Sequence, residues 1–269
     1  MISKRSFTML LKDDLKKRSW LLVMSFLVFC LIFPGVILDN IQGMISIYGE
    51  TDLSPRFLNA LTYSGNNYYA LAVVLMAAIC ALTGFSYIYS RPKLDFYHSL
   101  PISRSRLFAV DYATGALCAL VPYLVLHALS IVSACAMGFG EVVNASLIGV
   151  IASNVIFFFL LYAMAAVTTI LCGNTVITLL LGLWVYFGPT LVTALWQGLK
   201  SIFFQTYATD ATMTSLLFCN KFAPLIQYFG INGTKMHVYT MDYAAGLQES
   251  SAIGLLIGYA VAAIVITAL

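Results

Sequence analysis

Charge is scarce in this chain. Asp, Glu, Lys and Arg together make up only 9% of its 269 residues, where soluble domains carry about a quarter. A water-facing globular surface cannot be covered with so few ionic groups, so an ordinary soluble domain is excluded. Chemistry-bearing patterns are scarce as well. There is no GxxxxGK[ST], so the chain cannot cradle ATP phosphates in that way. There is no HExxH, no GxSxG and no cluster of His, Cys and carboxylate at ligand spacing. His98, His127 and His237 lie far apart. The cysteines (Cys30, Cys80, Cys118, Cys135, Cys172, Cys219) form no CxxC pair, and five lie in or beside apolar runs. They read as small packing residues, not as a metal site or disulfide framework.

What is abundant is apolar. Hydrophobic residues make up 61% of the chain and the mean hydropathy is +0.91. The expectation is an all-α membrane protein. Its transmembrane domain, 20–269, would follow an amphipathic helix at 1–19. Within 1–19, Phe7, Leu10, Leu11 and Leu15 recur at helical spacing among Lys4, Arg5, Lys12, Lys16, Lys17 and Arg18. Such a helix suits the headgroup layer, with its cations near anionic lipid. It can equally be a basic flank that sets orientation. Six spanning helices are expected, near 20–38, 68–90, 107–138, 146–171, 175–195 and 252–269, with outer loops at 39–67 and 196–251. Trp20 sits where an interfacial aromatic belongs. Pro122 is expected to kink the third span, Gly188-Pro189 to break the fifth, and Cys172-Gly173-Asn174 to form a tight turn. Gly254 and Gly258 give the sixth a small-residue face. Residues 215–230, interrupted by Asn220-Lys221 and Pro224, read as short helices dipping part-way into the membrane. The chain ends inside an apolar run without a flanking anchor, so it is expected to continue past Leu269.

The positive charges are unevenly placed. Residues 1–19 and 91–106 hold ten of the fourteen Lys and Arg. Two spans separate these segments, so both fall on one side, and the positive-inside rule makes that side cytoplasmic. Asp111 is expected in a lead-in turn near the interface; at the midplane it would cost roughly 2.5–3.5 kcal/mol. His127 and Asn154 are the clearest polar residues inside spans. They read as a helix-to-helix hydrogen bond or as a relay. A proton-coupled carrier needs buried carboxylates or their like, and the chain offers almost none.

Residues 91–106, RPKLDFYHSLPISRSR, form a polar island between two apolar segments. Residues 94–100 (LDFYHSL) can make two helical turns that Pro101 stops, and Ser103 can cap the next helix near Arg104. Phe96 and Tyr97 could fill a groove on a soluble partner while Asp95 and the arginines set register. The alternative is a cytoplasmic turn whose arginines bind lipid and fix topology.

The stretch Ser99-Leu100-Pro101-Ile102-Ser103-Arg104, placed between the second and third spans, resembles the intracellular loop of type-2 ABC transporter permeases. The longer DFYHSLPISRSRLF (Asp95 to Phe108) is similar to a bacterial subgroup of that family. Many members approach this loop through a Glu-rich GTLE-like stretch, where this chain has Arg91-Pro92-Lys93-Leu94-Asp95. The resemblance implies a connecting helix, six spans, a coupling helix between spans two and three, and re-entrant outer helices before span six. It implies a non-catalytic subunit of a multi-pass exporter in the plasma membrane, with its N-terminus cytoplasmic. A drug, antimicrobial peptide or lipid-like molecule would be the substrate. The partners implied are a cytoplasmic ABC ATPase, which holds the ATP and Mg, a second permease half and the lipid bilayer, with no nucleic acid. This chain would bind no cofactor, no metal and no catalytic group of its own. The ATPase-contacting residues would be Leu94, Asp95, Phe96, Tyr97, His98, Ser99, Leu100, Pro101 and Arg104. Rival classes are a stand-alone secondary carrier and a membrane scaffold or sensor subunit.

Overall fold

Small residues decide how closely the helices of this chain approach one another. The computed structural model describes residues 3–32, 66–99, 102–136 and 145–204, together with 223–225, 228, 258, 261–262 and 265–266. Among these the chain is all-helical, with no strand. The elements are α1 (Ser3–Lys17), α2 (Ser19–Ile32), α3 (Asn66–Gly84), a 3-10 turn (Ser86–Tyr89), α4 (Arg91–Ser99), α5 (Arg104–Ala136), α6 (Ala145–Leu171) and α7 (Thr175–Phe203). Three of them, α5, α6 and α7, are long and apolar enough to cross a bilayer, the mark of a membrane protein. The apolar parts of α2 and α3 are shorter, Ser19–Ile32 and Ala70–Gly84.

Helix α3 is central and packs against both α5 and α6. Ala70, Val73, Ala77, Cys80, Ala81 and Gly84 are buried at helical spacing, while Leu71, Leu75 and Ile79 stand exposed four residues apart. Exposed leucine carries no penalty in lipid, so association rests on close packing and interhelical hydrogen bonds, which alanine and glycine allow. Helix α6 matches it with Ala163, Ala165 and Ala166 beside Phe157, Phe158 and Tyr162. An aromatic ladder runs from Phe85 to Phe108 (5.3 Å between ring centroids), Tyr112 (5.8 Å), Tyr162 (4.5 Å) and Phe158 (5.5 Å). Gly115 makes room for it, because a Cβ there would collide with the Tyr162 hydroxyl.

Helix α2 buries a narrow stripe, Leu21, Ser25 and Phe29, one residue per turn. Ser25 Oγ donates to the Cys118 carbonyl of α5, and Phe29 meets Tyr123 edge-on at 5.5 Å. Helix α1 packs along α5, with Phe7, Leu10, Leu11 and Leu15 half-buried and Met9, Lys12, Asp13, Lys16 and Lys17 exposed. The turn at 172–174 forms as expected. Asn174 caps α7, its side-chain oxygen accepting from the Val176 amide at 2.9 Å.

Two expectations change. Gly188-Pro189 does not break the fifth span: α7 runs unbroken to Phe203, eight residues beyond the expected end. Proline removes one amide donor, and a membrane helix tolerates the loss because the groups it frees are re-satisfied locally. Pro122, where a kink is expected, lies within the helix Arg104–Ala136. The second apolar helix stops at Gly84, and the residues up to Tyr89 form the 3-10 turn. Residues 33–65, 137–144 and 205–222, most of 223–269 (the sixth span and Gly254 included), and Leu100 and Pro101 lie outside the described residues.

The packing predicts a contrast between two glycines. Gly115→Ala forces a buried tyrosine off its ring contacts and is expected to destabilise by about 1–3 kcal/mol. Gly198→Ala, whose Cβ meets nothing within 4 Å, is expected to be neutral or stabilising by up to about 1 kcal/mol. Thermal unfolding of the purified variants in detergent reads both.

Candidate functional site

The polar island folds into a surface helix. Helix α4 starts at Arg91 with Pro92 in its first turn, where a missing amide is tolerated. The Leu94 amide donates to the Ser90 carbonyl at 2.9 Å, and Ser99 Oγ donates to the Phe96 carbonyl at 2.8 Å. The helix thus starts three residues before the expected 94–100 segment. Arg91, Lys93, Asp95, Phe96 and Ser99 are exposed, Phe96 at 62%, and Arg104 is exposed at the start of α5. Leu94 and Tyr97 are half-buried. Tyr97 turns inward and meets Tyr87 of the 3-10 turn at 4.6 Å, with Phe96 edge-on to it at 5.8 Å. Of the expected contact residues, Asp95, Phe96, Ser99 and Arg104 are each exposed, and Tyr97 anchors α4 from behind. Leu100, Pro101 and the side chain of His98 are not among the described residues.

Behind α4 lies an ion-pair node that sequence reasoning did not find. Arg18 is the single turn residue between α1 and α2. Its Nη2 lies 2.6 Å from Asp111 Oδ1 of α5 and 3.2 Å from Asp14 Oδ2 of α1, and donates to the Gly84 carbonyl at the end of α3 (3.3 Å). The side chains are 12%, 4% and 14% exposed for Arg18, Asp111 and Asp14, so one guanidinium serves two buried carboxylates. The last carbonyls of a helix carry partial negative charge, which adds to the attraction. A Cβ on Gly84 would sit 3.1 Å from Arg18 Nη1. Asp111 was expected near the interface at little cost; it is buried, and Arg18 is turned away from the exposed Lys12, Lys16 and Lys17 of α1 to meet it. Tyr87 faces the same node: burial, then the Asp111 charge, push its phenol above the ordinary range, so the hydroxyl stays protonated. At the far end of that turn, Tyr89 and Thr178 of α7 share a hydrogen bond at 2.8 Å.

A second polar group lies inside the helices. Asn154 of α6 donates from Nδ2 to the Tyr123 hydroxyl (2.8 Å) and accepts from the Tyr228 hydroxyl (2.9 Å). His127, buried, packs its ring on Tyr123 at 4.5 Å, and Tyr228 packs on Phe157 at 4.6 Å. His127 and Asn154, singled out from sequence, thus belong to one cluster, joined through a tyrosine that was not singled out. No group of three or more His, Cys, Asp or Glu side chains able to hold a metal ion occurs among the described residues. No protein-family model, characterised protein or solved structure matches this chain.

The node predicts an asymmetry between breaking and replacing it. Asp111→Ala strands the Arg18 guanidinium and is expected to cost roughly 3–5 kcal/mol. Arg18→Met combined with Asp14→Leu and Asp111→Leu removes all three charges and is expected to unfold close to the parent temperature. Scanning calorimetry in detergent measures both; equal losses would show that charge pairing is not what the site provides.

Proposed function

We propose that this chain is the membrane subunit of an ATP-driven transporter and that α4 is the seat of a separate, soluble ATPase. The observation that carries the reading is the arrangement of α4: a polar helix, set between two apolar ones, that exposes Phe96 beside Asp95 while Tyr97 holds it from behind. An aromatic ring displayed at a rigid, charged surface is the kind of anchor that a complementary groove takes up. The resemblance of Ser99 to Arg104 to the loop of type-2 ABC permeases points the same way. On this reading the side bearing α1 and α4 is cytoplasmic, the membrane is the plasma membrane, and six spans form each half of the path. A second permease half completes it. ATP and Mg are handled by the partner, and this chain contributes no catalytic residue. The substrate class is a drug, peptide antibiotic or lipid-like molecule moved outward.

A second reading, a carrier that needs no ATPase, draws on the Tyr123–Asn154–Tyr228 cluster with His127 beside it. The hydrogen bonds of Asn154 join three separate parts of the chain, which also suits a structural clamp.

Affinity purification of the tagged protein from its own membranes separates the readings. A co-purifying ATPase bearing GxxxxGK[ST] is expected. Phe96→Ala should weaken its binding roughly tenfold or more, as loss of an aromatic anchor does. Tyr97→Phe, which keeps the ring contact with Tyr87, should leave binding unchanged. A protein that moves solute with no ATPase bound, and stops when His127 and Asn154 are replaced, would overturn the first reading for the second.

A further inference from the structure

We propose that the Tyr97–Tyr87 ring contact and the Arg18–Asp111 pair act as one relay, through which a displacement of α4 resets the elbow between α1 and α2.

The route is continuous in the structure. Among the described residues, the element α4 packs against is the 3-10 turn at Ser86–Tyr89. The turn is held at both ends. Before it, the Gly84 carbonyl accepts from Arg18; at its end, Tyr89 bonds Thr178 of α7. Tyr87 lies between these ties. Its ring is 4.6 Å from that of Tyr97 on the α4 side, and the turn that carries it follows directly on Gly84, whose carbonyl Arg18 holds. A push on α4 therefore arrives at Tyr87, and through the turn at the Gly84 carbonyl and the guanidinium that also pairs with Asp111. Arg18 is also the only residue between α1 and α2. Its amide donates to the Asp14 carbonyl and its carbonyl accepts from the Leu21 amide, so a shift of its side chain turns the junction itself.

The chemistry of the node suits a switch better than a strut. A pair of apolar side chains would tie α1 to α5 at least as firmly, because burying an ion pair costs desolvation that the pairing only partly returns. An ion pair among several partners can instead be remade. Arg18 uses one arm, Nη2, on Asp111, Asp14 and Gly84 together. Its other arm Nη1, Asp14 Oδ2 and Asp111 Oδ2 are all buried without an aligned hydrogen bond. Donors and acceptors are thus present for a second arrangement, in which Arg18 leans on Asp14 of α1 and releases Asp111. Two discrete arrangements of one element are what coupling between distant parts requires.

The relay deepens the docking reading, since it gives a push on α4 a path inward. Its test uses the chain alone, so failure of the relay and failure of the docking reading are separate results. Hydrogen–deuterium exchange is followed on the full chain in lipid nanodiscs, at the amides of residues 8–18. Tyr97→Ala, which cuts the ring contact on the other side of the node, is expected to speed exchange there roughly tenfold. Arg18→Met with Asp14→Leu and Asp111→Leu, an apolar node that ties α1 to α5 without charge, is expected to keep the parent rate, and Tyr97→Ala added to it to have no effect, because that effect runs through the ion pair. Tyr97→Phe keeps the contact and the parent rate. Parent-like exchange at 8–18 in Tyr97→Ala, or an undiminished tenfold effect of Tyr97→Ala on the apolar node, would overturn the relay. Should the apolar variant not fold, Asp111→Asn takes its place as the background for Tyr97→Ala.

Discussion

The basic end of this molecule depends on Arg18 reaching Asp111. An aspartate on an apolar helix has to be paired, hydrated or neutralised. Here it is paired at 2.6 Å, by a guanidinium from a residue 93 positions away. Several features are consequences of that contact. Helix α1 gives way to α2 at Arg18 itself, whose side chain reaches the end of α3 and Asp111 of α5. Helix α3 ends in a glycine, where any side chain would press on Arg18 Nη1. Asp14 sits one helical turn before Arg18, at the spacing at which side chains on a helix meet. A surface ion pair of the same composition would contribute about 0–1 kcal/mol and constrain little. Buried, it is costly to break and specific about what may stand beside it.

Much of the helical layout was legible in the sequence, because apolar length and polar interruption are local signals. The cluster LDFYHS between two apolar runs announced a surface helix, and Cys172-Gly173-Asn174 announced the turn before α7. The proline rule misled at Gly188-Pro189. Its cost is calibrated on helices in water, whereas a membrane helix has no solvent to exchange its remaining hydrogen bonds with. The ion-pair node was missed for a different reason. Arg18 is one of six cations in its segment, and nothing local separates it from Lys16 or Lys17, which face outward. Its signal was split across the chain: an isolated Asp111 on an apolar helix needs a cation, and Arg18 is the cation closest to the start of an apolar run. Tyr87 and Tyr123 were invisible for the same reason. An aromatic in an apolar run looks like packing until its hydroxyl has a neighbour.

Exposure has to be weighed by what surrounds it. The apolar window of α7 is only 17% buried, against 53% for that of α6, and Leu180, Leu183, Trp184, Leu195 and Trp196 all stand open. In water such a face would demand a partner. In lipid it demands nothing, since hydrocarbon tails are as apolar as leucine. Phe96 differs because its neighbours Asp95, Lys93 and Arg91 are exposed charges, which place that ring among polar groups. Similar fractional exposure therefore means different things at Phe96, which stands among charges, and at Leu183, which stands among apolar side chains.

Helices α5 and α6 hold polar ties at two levels. At one level Tyr162 donates to the Tyr112 carbonyl, next to Asp111; at the other Asn154 donates to Tyr123. The eleven residues from Tyr112 to Tyr123 span about 16 Å of helix, and apolar packing fills most of that interval. Beside the first tie, Arg18 on Asp111 and on the Gly84 carbonyl holds the junction of α1 and α2 and the end of α3. The second tie holds Tyr228, from the segment before the last apolar run. Close-packed apolar contacts resist deformation, while hydrogen-bonded and ionic contacts can exchange partners within one packed frame. A motion carried by this bundle would then leave the α5–α6 pair intact and act at its two polar levels. That division of labour accounts for why so apolar a chain keeps Asp14, Arg18, Asp111 and Asn154 out of water.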